Sequence, residues 1–185
     1  MLTGKRTVLR ELRPSDAASL FTYLTTEEVT RHVSAPPSTV EGFERFIAWV
    51  QREQAAGRFA CYAITLAGND TVIGIVQVRL TTPGTAECGA VIGEPFWGTG
   101  AFEEAAMLVA GFAFQTLGVH RLEARVSIQN DRCLNALQKI GATQEGVLRQ
   151  SLTIKSERYD QVLFSMTDDD YRALSTRRKE KPILH

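Results

Sequence analysis

The chain has 185 residues, 44% of them hydrophobic, with 21 Lys plus Arg against 21 Asp plus Glu. That length suits one well-packed domain and is short for two, and the balanced charge supplies no global field to draw the protein to nucleic acid or an anionic membrane. No apolar run approaches the roughly 20 residues of a membrane helix, and Met1-Leu2-Thr3-Gly4-Lys5-Arg6 lacks an apolar signal core, so a cytoplasmic protein is expected.

Residues 7–12 alternate apolar and polar side chains as an opening strand, and Ser15 is the residue type that caps a helix, predicted over 16–24. A short helix is expected at 27–33. After the Pro36-Pro37 break, Thr39 caps a longer helix to 55 whose Phe43, Phe46, Ile47 and Val50 share one face. Residues 59–66, 71–80 and 85–92 are strand-like runs separated by Gly68-Asn69-Asp70 and Thr82-Pro83-Gly84, the pattern of an antiparallel meander. Beyond them come a helix over 103–117, apolar at Ala106, Leu108, Val109, Phe112, Ala113 and Leu117, then a strand over 121–128 and a helix over 131–140. Two last strands, over 142–152 and 158–166, suit a hairpin. The order predicts an α+β fold, one mixed sheet with helices on both faces. Residues 1–175 are expected as a single domain and 176–185, with the run Arg177-Arg178-Lys179-Glu180-Lys181, as a poorly ordered charged tail.

The most informative stretch is Glu94-Pro95-Phe96-Trp97-Gly98-Thr99-Gly100-Ala101-Phe102-Glu103-Glu104-Ala105, which sets a two-glycine turn between a strand and a helix. First-turn N–H groups of such a helix are unpaired and stand at the positive end of its dipole, which makes the turn a candidate pyrophosphate site. No Gly-x-x-x-x-Gly-Lys-Ser/Thr sequence is present, and the dinucleotide fingerprint lacks its third glycine, which leaves another phosphorylated cofactor. The cysteines, Cys61, Cys88 and Cys133, are scattered, without a Cys-x-x-Cys metal or redox pair; reduced thiols and no metal are expected.

The element order together with five segments resembles the GNAT N-acetyltransferases, in their RimJ/RimL-like branch. The segments are Leu9-Arg10-Glu11-Leu12-Arg13-Pro14-Ser15-Asp16; Val72-Ile73-Gly74; Glu94-Pro95-Phe96-Trp97-Gly98-Thr99-Gly100; Leu117-Gly118-Val119-His120-Arg121-Leu122-Glu123-Ala124; and Asn130 through Gly146-Val147-Leu148-Arg149. The resemblance covers about residues 7–172 and implies a mostly antiparallel mixed sheet of GNAT type, acetyl-CoA as cofactor and CoA as product. It implies transfer of acetyl directly to a primary amine, whether a protein N-terminus, an amino acid or a small amine; the alternative is an acyl-CoA-binding module on the same fold without catalysis. Monomer and homodimer are both open.

By that resemblance the pyrophosphate lies on backbone N–H groups of Gly98, Thr99, Gly100, Ala101 and Phe102 after Trp97, and the strand from Glu87 to Ile92 splays from its neighbour so that its amides contact the pantetheine arm. Phe102 stands where the family has a small residue, so its ring either packs under the helix or reshapes the site. Gly89 suits a bulge or a close approach. Asn130-Asp131-Arg132-Cys133 occupies the family's Asn-x-x-Ser position, and Cys133 is read as a proton donor to the departing thiolate, a covalent nucleophile activated by the helix N-terminus, or packing. The family's glutamate base aligns with Leu152, which leaves Glu87, Glu123 and Asp160 as candidate bases, Glu87 favoured. His32 either lines the acceptor mouth or lies on the surface, and His120 is expected to stabilise a loop.

Overall fold

The structure, a computed structural model, describes residues 1–57 and 59–180. Its centre is one eight-stranded sheet in the order β1-β2-β3-β4-β5-β6-β8-β7. The strands are β1 (Leu2–Thr3), β2 (Thr7–Glu11), β3 (Phe59–Leu66), β4 (Asn69–Thr82), β5 (Thr85–Ile92), β6 (Arg121–Ser127), β7 (Thr143–Ile154) and β8 (Glu157–Thr167). All neighbours are antiparallel except β5 and β6, whose connection crosses over through a helix. The expected meander is β3-β4-β5, and the expected hairpin is β7-β8, turning at Lys155 and Ser156 with φ of 47° and 71°.

Strand alternation divides the hydrophobic residues between two faces. On one face, α1 (Ala17–Leu24) and α3 (Val40–Ala55) bury Leu20, Leu24, Phe43, Ile47 and Val50 against Cys61 and Ala63 of β3. On the other, α4 (Ala101–Gln115) covers β2, β4, β5 and β6 through Ala105, Val109 and Ala113, which face Tyr62, Ile64, Val76 and Phe164. Short α2 (Glu27–Thr30) precedes α3, and α5 (Asp131–Lys139) links β6 to β7. The α+β sheet with helices on both faces is therefore observed as expected. Among the described residues no helix is long and apolar enough to cross a membrane.

Several local expectations are corrected. Ser15 caps no helix: Pro14–Asp16 is a 3₁₀ turn, and the buried Asp16 carboxylate accepts from Arg13 N–H at 2.8 Å and from both terminal nitrogens of Arg10 at 2.8 and 2.9 Å. Thr39 caps α3 as expected, accepting from Gly42 N–H at 3.0 Å, but Phe46 is only half-buried at the edge of its face. Helix α2 ends at Thr30, and α4 begins at Ala101 and stops at Gln115, so Leu117 is exposed.

A final helix, α6 (Asp168–Glu180), is also present, running through the first residues of the segment set apart as a tail; 181–185 lie outside the described residues. Its signal was readable in Thr167-Asp168-Asp169-Asp170. Thr167 Oγ1 accepts from Asp170 N–H at 3.2 Å while the Asp170 carboxylate accepts from Thr167 N–H at 3.0 Å, a reciprocal cap. Tyr171 and Leu174 of α6 pack on the larger core.

Candidate active site

The site begins where two strands part. β5 pairs with β6 only at Thr85–Arg121, Ala86–Leu122 and Glu87–Glu123. Past that rung β5 stays on β4 through Ile92 while β6 stays on β8 through Ser127, which opens a wedge in the sheet. Gly89 sits in regular register with Gln77, so the bulge reading fails, and a Cβ there would meet only the Gln77 side chain, at 3.4 Å.

At the wide end of the wedge stands the glycine turn. Gly98 (φ 75°) and Gly100 (φ 84°) both take left-handed backbone, and Gly100 is the N-cap of α4. Thr99 Oγ1 donates to Phe96 C=O and Arg6 Nη1 donates to Thr99 C=O, each at 2.7 Å, which braces the turn from behind. The N–H groups of Gly98, Thr99, Gly100, Phe102 and Glu103 meet no acceptor among the described residues, and Ala101 N–H makes only a long 3.4 Å contact with Thr99 Oγ1. These donors stand together at the positive end of a fifteen-residue helix, an anion site by charge and by geometry.

Two cavities follow the wedge, of 540 and 680 Å³. Trp97, Gly98, Ile92 and Phe102 line the smaller one; Thr99, Gly100 and Ala101 do not, and what they can offer is backbone N–H. Trp97 Nε1 donates to Ile92 C=O at 2.8 Å, so that carbonyl is already engaged. Two cations that sequence reasoning missed, Arg132 and Lys139, line the same cavity from α5. Arg132 lies over the Trp97 ring, its guanidinium carbon 3.7 Å from the centroid, and Lys139 Nζ is 3.4 Å from Glu103. A turn rich in free N–H donors facing two cations fits a polyphosphate group, and Gly98, where an added methyl would find nothing within 4 Å, leaves it room.

Phe102, Cys133, Asn130 and His32 line both cavities and so mark their junction. Phe102 is half-buried, packed against the larger core and lining both cavities. Asn130 Oδ1 accepts from Cys133 N–H at 3.1 Å, capping α5 and setting Cys133 in its first turn. The expected lowering of that thiol by the helix N-terminus is overturned: burial pushes it up to about 12. A thiol held protonated in this way is a poor nucleophile and a weak acid, able to offer an S–H hydrogen bond but not to protonate an ordinary thiolate readily.

His32, expected either at the acceptor mouth or on the surface, lines both cavities. Its Nδ1 is fully buried without a hydrogen-bond partner, and burial, then Arg31 and Arg132, hold the imidazole below its ordinary value against the opposing pull of Asp131. The ring is neutral at neutral pH. No spacing rule in the sequence pointed there, because His32 follows a four-residue helix and reaches the junction through the path of the chain toward Pro36.

Of the candidate bases, Glu87 alone lines a cavity, the larger one, with its carboxylate 3.6 Å from Arg125 and 3.9 Å from Arg79. Glu123 is bound to Arg121 at 2.8 Å, and Asp160 accepts from Gln150 N–H at 2.8 Å; both serve structure. Gln150 (φ 51°) belongs to a bulge between the Leu148–Gln161 and Leu152–Tyr159 pairs, which turns Ser151 and Leu152 into the larger cavity. Leu152 thus borders the cleft where a carboxylate was sought. His120 packs on Gly84, its ring filling the space a methyl would take there, a loop contact as expected.

Residues 6–143 match the family described as acetyltransferase (GNAT) domain. The chain is 32% identical over 136 residues to the probable N-acetyltransferase YjcK of Bacillus subtilis, covering 71% of this chain and 75% of that protein. It is 28% identical over 173 residues to the uncharacterized N-acetyltransferase p20 of Bacillus licheniformis, covering 92% and 97%. Among solved structures, RimJ of Mycobacterium smegmatis in complex with CoA-disulfide superposes with a TM-score of 0.82 at 20% identity, over 93% of this chain and 89% of that one. The ribosomal-protein-S5-alanine acetyltransferase of Vibrio fischeri does so with a TM-score of 0.80 at 18% identity, over 91% and 97%. At those identities the structural likeness speaks for the fold.

Proposed function

Since the chain belongs to the GNAT acetyltransferase family, we propose that it transfers the acetyl group directly to a primary amine held in the larger cavity, without an acyl-enzyme. Membership makes it an acetyl-CoA-dependent N-acetyltransferase. Acetyl-CoA supplies such a site with an acyl thioester; the remaining work belongs to the chain.

The observation that carries the reading is the run of N–H groups from Gly98 to Glu103, all but that of Ala101 unpartnered among the described residues, opening beside Arg132 and Lys139 into a cavity that meets a second one at Cys133 and His32. The N–H groups and the two cations hold the phosphates. The wedge between β5 and β6 exposes strand backbone to the pantetheine arm. Cys133, kept as a thiol by burial, steadies the departing thiolate through an S–H hydrogen bond, and the thiolate takes its proton from solvent. His32, kept neutral, takes a proton from the amine, whose pKa of about 8 to 10 otherwise keeps it charged. Glu87, the one candidate base that lines the larger cavity, is placed to draw an ammonium into the cleft.

Calorimetry with CoA and thiol release from acetyl-CoA across a panel of primary amines test the reading together. CoA should bind one to one, and thiol should appear in step with acetylated amine. A protein that does not bind CoA, or an acetyl group recovered on Cys133 before it reaches the amine, would overturn it.

A further inference from the structure

Resting on the reading of the chain as an N-acetyltransferase, we propose that the larger cavity is built for the zwitterionic head of a free α-amino acid with an apolar side chain, Glu87 facing the amine and Arg125 the carboxylate. Glu87 and Arg125 enter the cavity beside the last rung before β5 and β6 part, Oε2 and Nε 3.6 Å apart. That separation is an ion pair but too long for a hydrogen bond. Neither side chain makes a hydrogen bond to any of the described residues, and Arg79, at 3.9 Å, is the other cation on Glu87.

Arg121, four residues earlier on the same strand, shows the contrast. Its Nε donates to Glu123 and its two terminal nitrogens to Glu145, at 2.8, 2.8 and 2.5 Å. Arg125 has the same five N–H donors and no acceptor for them among the described residues, with its side chain 44% exposed and lining the larger cavity. A planar fork of that kind pairs with a carboxylate through two parallel hydrogen bonds.

The amine and carboxylate of an α-amino acid are joined through a single carbon. A ligand that lays its ammonium on Glu87 and its carboxylate on Arg125 therefore satisfies both groups at the spacing they already have. Pro36, Pro37, Phe43, Phe46 and Leu152 supply an apolar wall to the same cavity, and its 680 Å³ suits a small ligand. Two cations against one carboxylate disfavour a polyamine. A protein N-terminus presents a peptide carbonyl where the carboxylate would stand, leaving the Arg125 fork without a carboxylate to hydrogen-bond.

The test is calorimetric titration of L-phenylalanine, L-leucine, their C-terminal amides, spermidine and an alanine-initiated peptide into the CoA-saturated protein, with thiol release from acetyl-CoA followed for each amine. The free acids should bind about 10–100-fold tighter than their amides, the size of a charge-assisted pair. Arg125→Ala should erase that preference with CoA affinity unchanged, and Arg125→Lys should restore part of it. Amides or peptide binding as tightly as the acids, or a preference that survives Arg125→Ala, overturns the proposal. Preferential binding of acids with no thiol from any amine would sustain this site and sink the transfer reading; equal thiol release from acids and amides at equal affinity would do the reverse.

Discussion

Arg132 rests its guanidinium over the indole of Trp97, 3.7 Å from the ring centroid, and so joins the first turn of α5 to the glycine turn across the smaller cavity. Such a contact is worth about 0.5–2 kcal/mol. It also holds a cation beside the free N–H groups. Trp97→Leu and Arg132→Ala should each weaken CoA binding, and a double-mutant cycle on thermal stability should give a coupling of about 1 kcal/mol. Additive losses would mean the two residues act separately.

Gly98→Ala separates backbone conformation from crowding. A methyl there meets nothing within 4 Å, but φ is 75°, so the cost is the left-handed backbone, about 1–2 kcal/mol. Gly118, at φ 68° and equally open, provides the control. Both variants should lose similar stability in urea melts, while only Gly98→Ala lowers CoA affinity; a parallel loss in Gly118→Ala would point to general destabilisation.

Because burial lowers the His32 imidazole below its ordinary 6.5, the ring stays neutral, and able to accept a proton, down to a more acid pH than a free histidine. The acid limb of kcat/KM should fall correspondingly low. His32→Gln should reduce kcat by about 100-fold and remove that limb. An NMR titration of the imidazole that showed an ordinary or raised midpoint would contradict the assignment.

Burial that pushes the Cys133 thiol up to about 12 makes it unreactive at pH 8. Iodoacetamide should modify it more slowly than free cysteine, and bound CoA should slow this further. Cys133→Ser should retain most turnover and Cys133→Ala lose about 10-fold, as expected for a hydrogen-bond donor to the departing sulfur. Equal activity of the two variants would reduce Cys133 to packing.

Glu104 ties the N-terminal strand to α4: its carboxylate accepts from Lys5, Arg6 and Thr7 N–H and from Thr7 Oγ1 at 2.7–2.9 Å. Burial raises its pKa, but those donors outweigh burial and hold it below 4.5. A depressed carboxylate pKa stabilises the fold above the unfolded value, and that contribution disappears as pH falls through the folded one. Glu104→Gln should therefore cost about 2 kcal/mol at pH 7 and progressively less below pH 4. A loss independent of pH would indicate packing instead of charge.

Much of this protein could be read along the chain. Hydrophobic period placed the meander, α3, α4 and the β7-β8 hairpin, since each buries its own stripe on the sheet. Where the period misled, a second packing partner was responsible: α4 lies between the sheet and α6, with Tyr171 against Gly111, so its buried face is broader than one amphipathic stripe. Helix α6 shows no hydrophobic period, because only Tyr171 and Leu174 among its described residues pack on the larger core, and its one local signal is the reciprocal cap at Thr167 and Asp170.

The glycine turn, the Thr39 cap and the family follow from the order of residues alone, because backbone conformation and helix capping are decided within a few positions. What the cleft contains was settled by folding. Arg132 meets Trp97, Arg125 meets Glu87, and His32 and Cys133 line the same two cavities only because the β5-β6 crossover brings separate elements to one wedge. The charge state of Cys133 turned on the same fact: a helix N-terminus acts locally to lower a thiol, but burial, which depends on every neighbouring element, outweighed it.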